Sequence, residues 1–151
     1  MSRYMVKILV VDGQGGGIGK ALIEKLKAAG LSAEIVGVGT NVAATNALIK
    51  AGADAGATGE NAVVYNAARA DIITGGSGIL CANAMMGEIS PGMAAAISQS
   101  NAVKMIVPLN RCRLRVCGLP DQPLPMRIDM AAAEIVAMAA KIKEGQLPDL
   151  S

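Results

Sequence analysis

Along the chain, short continuous apolar runs alternate with stretches of helical hydrophobic spacing. Val6–Val11 (VKILVV) is a nearly unbroken apolar run ending at Asp12-Gly13, the pattern of a strand buried on both faces. Ile18, Leu22, Leu26 and Ala29 then recur at helical intervals, Lys20, Glu24 and Lys27 face outward, and Gly30 supplies the stop. Ala33–Val38 predicts a second strand. Asn41 is placed to cap a second helix carrying Val42, Thr45, Leu48 and Ile49 inward, closed by Gly52. Ala53–Ala57 is a weaker third strand. Glu60–Arg69 fits a helix capped by Thr58, although Ala62–Tyr65 (AVVY) also fits a strand.

Asp71–Thr74 (DIIT) predicts a fourth strand, entering a turn at Gly75, Gly76, Ser77 and Gly78. Two short helices follow: Ile79–Met86, ended by Gly87, and a second opened by Ser90-Pro91, an N-cap followed by proline at the first helical position. Val103–Val107 is the fifth strand. Arg113–Val116 lies too close behind it for a parallel crossover, so a strand there would be antiparallel, at an edge. Pro120–Pro125 reads as a loop. A last helix runs from Arg127 to Glu144, with Ile128, Ala131, Ile135, Met138 and Ile142 on one face and Lys141 and Lys143 near its negative end. Strand–helix alternation of this kind predicts one Rossmann-like α/β domain over residues 1–151. Its expected form is a three-layer sandwich around a mainly parallel sheet of order 3-2-1-4-5, with the antiparallel edge strand added.

Composition narrows the chemistry. The chain has 151 residues, 52% hydrophobic, yet only two Tyr and no Phe or Trp, so its core must be aliphatic with help from nine Met. With no histidine, Ser-His and Cys-His catalysis and imidazole metal ligation are excluded. Cys81, Cys112 and Cys117 lack metal-ligand spacing, and Cys81, within an apolar run, reads as a buried small hydrophobe. A formal charge of +2 gives no broad basic field, which argues against a nucleic-acid partner. No signal-peptide pattern or membrane-length apolar run is found, so a cytoplasmic protein is expected.

The informative segment is Val10-Val11-Asp12-Gly13-Gln14-Gly15-Gly16-Gly17-Ile18-Gly19-Lys20, at the first strand-to-helix turn. There, free backbone N–H groups meet the positive end of a helix, and glycines let a ligand approach closely. The dinucleotide pattern G-x-G-x-x-G fails by one residue, because Ile18 stands where glycine is needed. Gly13, Gly17 and Gly19 do fit the G-x-x-x-G-I-G turn of short-chain dehydrogenases. A P-loop would need glycine in place of Gln14 and Ser or Thr in place of Ala21. The rest of the dehydrogenase pattern is missing. Tyr4 and Tyr65 are followed four residues on by Ile8 and Arg69, so Y-x-x-x-K is absent. No acid or arginine ends the second strand, where Thr40 and Asn41 stand as residues that could bind a sugar or phosphate or simply cap the helix.

In the order 3-2-1-4-5 the switch point falls between strands one and four, so the Gly13–Gly19 and Gly75–Gly78 turns face one crevice. Pro108, Leu109, Asn110 and Arg111, after the fifth strand, would line its far side. Arg111, Arg113 and Arg115 alternate and would share a face on a strand. Asp12, Glu60, Asp71 and Glu88 are the acids nearest strand ends or turns, with no pairing legible among them. Glycines that merely pack a helix on a sheet remain the alternative to a ligand.

The motifs VDGQGGGIGK, VGTN, GATGEN, ADII with its glycine turn, GEISP and VPLNRC fall in this order from Lys7 to Cys117. Together they resemble an uncharacterised family of short bacterial proteins, a domain of unknown function. The resemblance implies a small cytosolic Rossmann-like protein without an assigned activity, and Gly13–Lys20, Thr40, Asn41, Asn110 and Arg111 match its motifs. The functional expectation is therefore a nucleotide- or dinucleotide-binding protein holding a phosphate on the Gly13–Gly19 turn, with NAD or NADP as the candidate cofactor. The alternatives are a non-catalytic module for a small anionic metabolite and a structural homo-oligomer without ligand.

Overall fold

β1 (Lys7–Asp12) occupies the middle of the sheet because its residues are apolar on both faces: only Lys7 of the six is exposed. Ile8 and Val10 pack into one core layer, Leu9 and Val11 into the other. The computed structural model, which describes residues 4–111 and 113–146, places β1 between β2 (Glu34–Gly39) and β4 (Ile72–Gly76). β3 (Ala55–Thr58) and β5 (Val103–Val107) form the edges, giving the order β3-β2-β1-β4-β5 with every pairing parallel.

Helices cover both faces, as parallel strands require. α1 (Gly17–Ala28), α2 (Val42–Ala51) and α5 (Leu124–Lys143) bury Leu22, Ile23, Leu26, Leu48 and Ile135 against one face. α3 (Glu60–Ala67) and α4 (Pro91–Ser98) bury Val63, Ala67, Met93 and Ile97 against the other. No helix among the described residues is long and apolar enough to cross a membrane.

The expected α/β architecture and strand order are present, and residues 60–67 are helix, not strand. Several local expectations are corrected. No edge strand forms at Arg113–Val116: Arg113 has φ 60° and the Leu114 N–H bonds the Arg111 carbonyl, so the segment turns and its arginines share no strand face. Gly75 and Gly76 belong to β4, and the turn starts only at Ser77. Ile79–Met86 is not an α-helix. A single 3-10 turn (Ser77–Leu80) is followed by a left-handed turn in which Asn83, Met85, Met86 and Gly87 all have positive φ. Its buried residues Ile79, Ala84 and Ile89 are five apart, a spacing that one helix face cannot present. Thr58 ends β3 and bonds Thr45, leaving Gly59 at the α3 N-cap. α5 begins at Leu124, three residues earlier than its periodicity suggests, with Pro125 in the first turn, where its missing N–H would have no partner. Cys81 is only half-buried, and Cys112 lies outside the described residues.

Candidate functional site

The site is built where β1 gives way to α1, at the carboxyl edge of the sheet and at its switch point. β1 ends on Asp12, which is buried: one carboxylate oxygen accepts the Gly13 N–H at 2.7 Å and the other the Gly19 N–H at 2.6 Å. Burial holds this carboxyl above the usual aspartate value, against the pull of those two donors. The turn between them is closed by the Gly16 N–H on the Gly13 carbonyl, with Gly16 itself left-handed at φ 73°.

The glycines of this turn divide into two kinds. A Cβ on Gly13 would stand 2.6 Å from the Met85 sulfur, one on Gly16 3.1 Å from the Ala44 carbonyl oxygen, and one on Gly19 2.5 Å from Leu48. Those three glycines are explained by packing inside the chain. Gly15 and Gly17 are not: neither has a positive φ, and a Cβ on either would meet nothing within 4 Å among the described residues. Their N–H groups also donate to nothing among the described residues. Both line a crevice of about 330 Å³ together with Gly13, Gln14, Gly16, Ile18, Gly78 and Arg111. Its remaining walls are Asp12, Met85, Leu109, Leu124 and Ile128. Two unpaired donors at the positive end of α1, with an arginine at the wall, suit an anion.

The other sequence candidates lie apart from that crevice. Gly19 is buried behind the turn and Lys20 is exposed on α1. Gly75 and Gly76 are buried within β4. The Ser77 hydroxyl accepts the Leu109 N–H at 3.0 Å and donates to the Leu109 carbonyl at 3.1 Å, tying the end of β4 to the segment after β5. Asn110 accepts the Val116 N–H and closes the loop that carries Arg111. Arg127 braces the same connection by donating to the Pro108 and Pro120 carbonyls.

Thr40 and Asn41 face a carboxylate that sequence reasoning could not pair with them. One oxygen of Glu88, brought over by the left-handed turn, accepts the Thr40 hydroxyl at 2.6 Å, the Gln14 N–H at 2.8 Å and the Asn41 amide at 2.9 Å. Those donors, Thr40 first, hold the Glu88 carboxyl below the usual glutamate value. Asn41 meanwhile caps α2 through its other side-chain atom, which accepts the Ala44 N–H. Among the acids singled out by position, Asp71 instead bonds Tyr4 and the Lys7 N–H at the opposite end of the sheet, and Glu60 bonds Ser90. Sequence position singles out Asp12 and Glu88 without a partner, and Leu109 lines the crevice as expected; the residues missed from sequence are Met85, Leu124 and Ile128. For those three no local signal exists, because core and crevice side chains have the same periodicity.

Fold and site together define a single-sheet parallel α/β protein with a glycine-lined cleft at its switch point. The chain belongs to the family described as Domain of unknown function (DUF3842), whose model matches residues 7–140. No curated protein matches it. Among solved structures it is similar to a universal stress protein crystallised in complex with cAMP, at 18% identity and a TM-score of 0.41. That likeness covers 70% of this chain and 98% of the other.

Proposed function

We propose that the protein binds a small phosphate-bearing ligand of the nucleotide or dinucleotide class, with a phosphate resting on the Gly13–Gly19 turn. The observation that carries this reading is the pair Gly15 and Gly17, glycines with no conformational reason and no packing reason among the described residues. Glycine near the start of a helix gives up conformational freedom on folding that alanine would not. Close approach of a ligand to the Gly15 and Gly17 N–H groups accounts for them. Arg111 supplies positive charge at the wall, offsetting the buried Asp12 beneath the turn.

The residues fit a nicotinamide dinucleotide in part. The turn offers donors to a pyrophosphate, and the crevice, at about 330 Å³, sits at the small end of ligand pockets, which run from about 300 to 1,000 Å³. The chain carries no histidine and no Y-x-x-x-K, so the reading claims binding and leaves turnover aside.

The test is a thermal-shift panel of inorganic phosphate, AMP, ATP, NAD and NADP on the purified protein and on Gly17→Val. A ligand at a hundredfold over its Kd stabilises the fold by about 2.7 kcal/mol, a shift readily seen. The proposal expects a shift with at least one phosphate compound and its loss in folded Gly17→Val. No shift with any compound, or an equal shift in the variant, overturns it.

A further inference from the structure

From the placement of Glu88 we infer that this residue is the ribose-recognising carboxylate of the site, so that the ligand carries a ribose whose 2′- and 3′-hydroxyls are free. The inference rests on the phosphate reading of the glycine turn and gives that ligand its sugar. In α/β sheets that seat a phosphate on the first strand–helix turn, the sugar hydroxyls fall beside the end of the second strand, where an acid accepts them. Here β2 ends at Gly39 and is followed by Thr40 and Asn41, neither of them acidic. The fold delivers the acid from elsewhere: Glu88, 48 residues further on than Thr40, stands against both.

The bonding of Glu88 suits the role. All three of its donors converge on one oxygen, Oε1, and Oε2 has no hydrogen bond among the described residues. Oε1 is held in place by a backbone N–H of the glycine turn itself, which fixes the carboxylate relative to where the phosphate would sit. Oε2 is then a fixed, charged acceptor at a partly exposed position, open to a ligand. A hydroxyl supplies that donor; a phosphate or a second carboxylate at the same place would be repelled.

The experiment is calorimetric binding of AMP, 2′-deoxy-AMP, NAD, NADP and inorganic phosphate to the wild type and to Glu88→Gln. Gln keeps the shape and an acceptor oxygen for the three donors, and a cooperative thermal transition confirms that the variant folds. The wild type should bind AMP at least about tenfold more tightly than 2′-deoxy-AMP, and NAD more tightly than NADP, as expected for a hydrogen bond to a charged group. Glu88→Gln should reduce both preferences to less than about threefold and should not weaken inorganic phosphate binding. Equal binding of AMP and 2′-deoxy-AMP by the wild type, or an undiminished preference in Glu88→Gln, overturns the role of Glu88 while the phosphate reading stands. Absence of binding by phosphate and by every nucleotide overturns the phosphate reading itself and this inference with it.

Discussion

The Glu88 carboxylate accepts the backbone N–H of Gln14 at 2.8 Å across 74 residues of sequence. That bond joins the turn after β1 to the left-handed segment after β4, and Thr40 and Asn41 complete the junction from the end of β2. Three separate stretches of chain thus meet at one carboxylate oxygen, beside the Gly13 and Gln14 that line the crevice with Arg111.

Asn41 serves this junction and the α2 N-cap at once, which predicts an inversion of the usual cap ranking. Aspartate is as good an N-cap as asparagine, and alanine in its place costs about 1 kcal/mol. Asn41→Asp keeps the cap on Ala44 but replaces the donor to Glu88, 2.9 Å away, with a second carboxylate. Urea denaturation at pH 7 should find Asn41→Asp less stable than Asn41→Ala. The order should reverse near pH 4, where a shared proton relieves the repulsion. An Asp variant as stable as wild type at pH 7 would show that the Glu88 contact is not kept in solution.

Glu88 also sets an acid-side dependence. Its carboxyl is held below the ordinary value of 4.5, so its contribution to stability is complete above that pH and is lost as pH falls through the lower folded value. Asp12 has the opposite sign: its raised value makes the folded state bind a proton more readily, so that contribution fades as pH rises through the folded value. Replacing Glu88 with Gln removes the first dependence and leaves the second. Unfolding free energies measured from pH 7 to pH 3 should fall less steeply for Glu88→Gln than for wild type. Parallel curves would contradict the assignment.

Thr74 carries a fully buried hydroxyl with no hydrogen-bond partner among the described residues, at 0% exposure in β4. Valine has the same shape without the polar atom, and β-branching suits the strand. Thr74→Val should stabilise the protein by about 1 kcal/mol, since an unsatisfied buried polar group is removed. A loss of stability in chemical denaturation would mean that a partner for the hydroxyl exists in solution.

How far the sequence reached depends on whether the information was local. The continuous apolar run of β1, the Asn41 and Ser90-Pro91 caps and the fifth strand at Val103–Val107 were readable because each lies within a few residues. The stretch from Ser77 to Ile89 was not. Its apolar residues suggested a helix, yet Ile79, Ala84 and Ile89 are anchored by a turn of positive φ that composition does not announce. The arginine alternation at 111, 113 and 115 imitated a strand, although the Arg111–Leu114 turn bends it. Glu88 stood in plain view, but nothing in its neighbours pointed to Gln14. The glycine turn itself was located from sequence; which of its glycines serve packing needed the positions of Met85, Ala44 and Leu48.

Gly13 illustrates the packing kind. Its Cβ would fall 2.6 Å from the Met85 sulfur and 2.9 Å from the Thr40 hydroxyl. Gly13→Ala should therefore push the left-handed turn away and destabilise the fold by about 1–3 kcal/mol, the range for overpacking. Its denaturation midpoint would fall clearly below wild type. An unchanged midpoint would show that Met85 yields freely.

The measurement that bears most directly on the central claim is the behaviour of Gly15→Ala/Gly17→Ala, read for stability and for binding together. Both methyl groups enter open space, so each substitution should leave stability unchanged or raise it by about 0.4–1 kcal/mol through the unfolded state. The same double variant should lose the thermal shift given by whichever of phosphate, AMP, ATP, NAD or NADP stabilises the wild type. Stability kept with binding lost is the predicted result. A double variant that binds that compound as tightly as the wild type would contradict the account, and the turn would then not be the site.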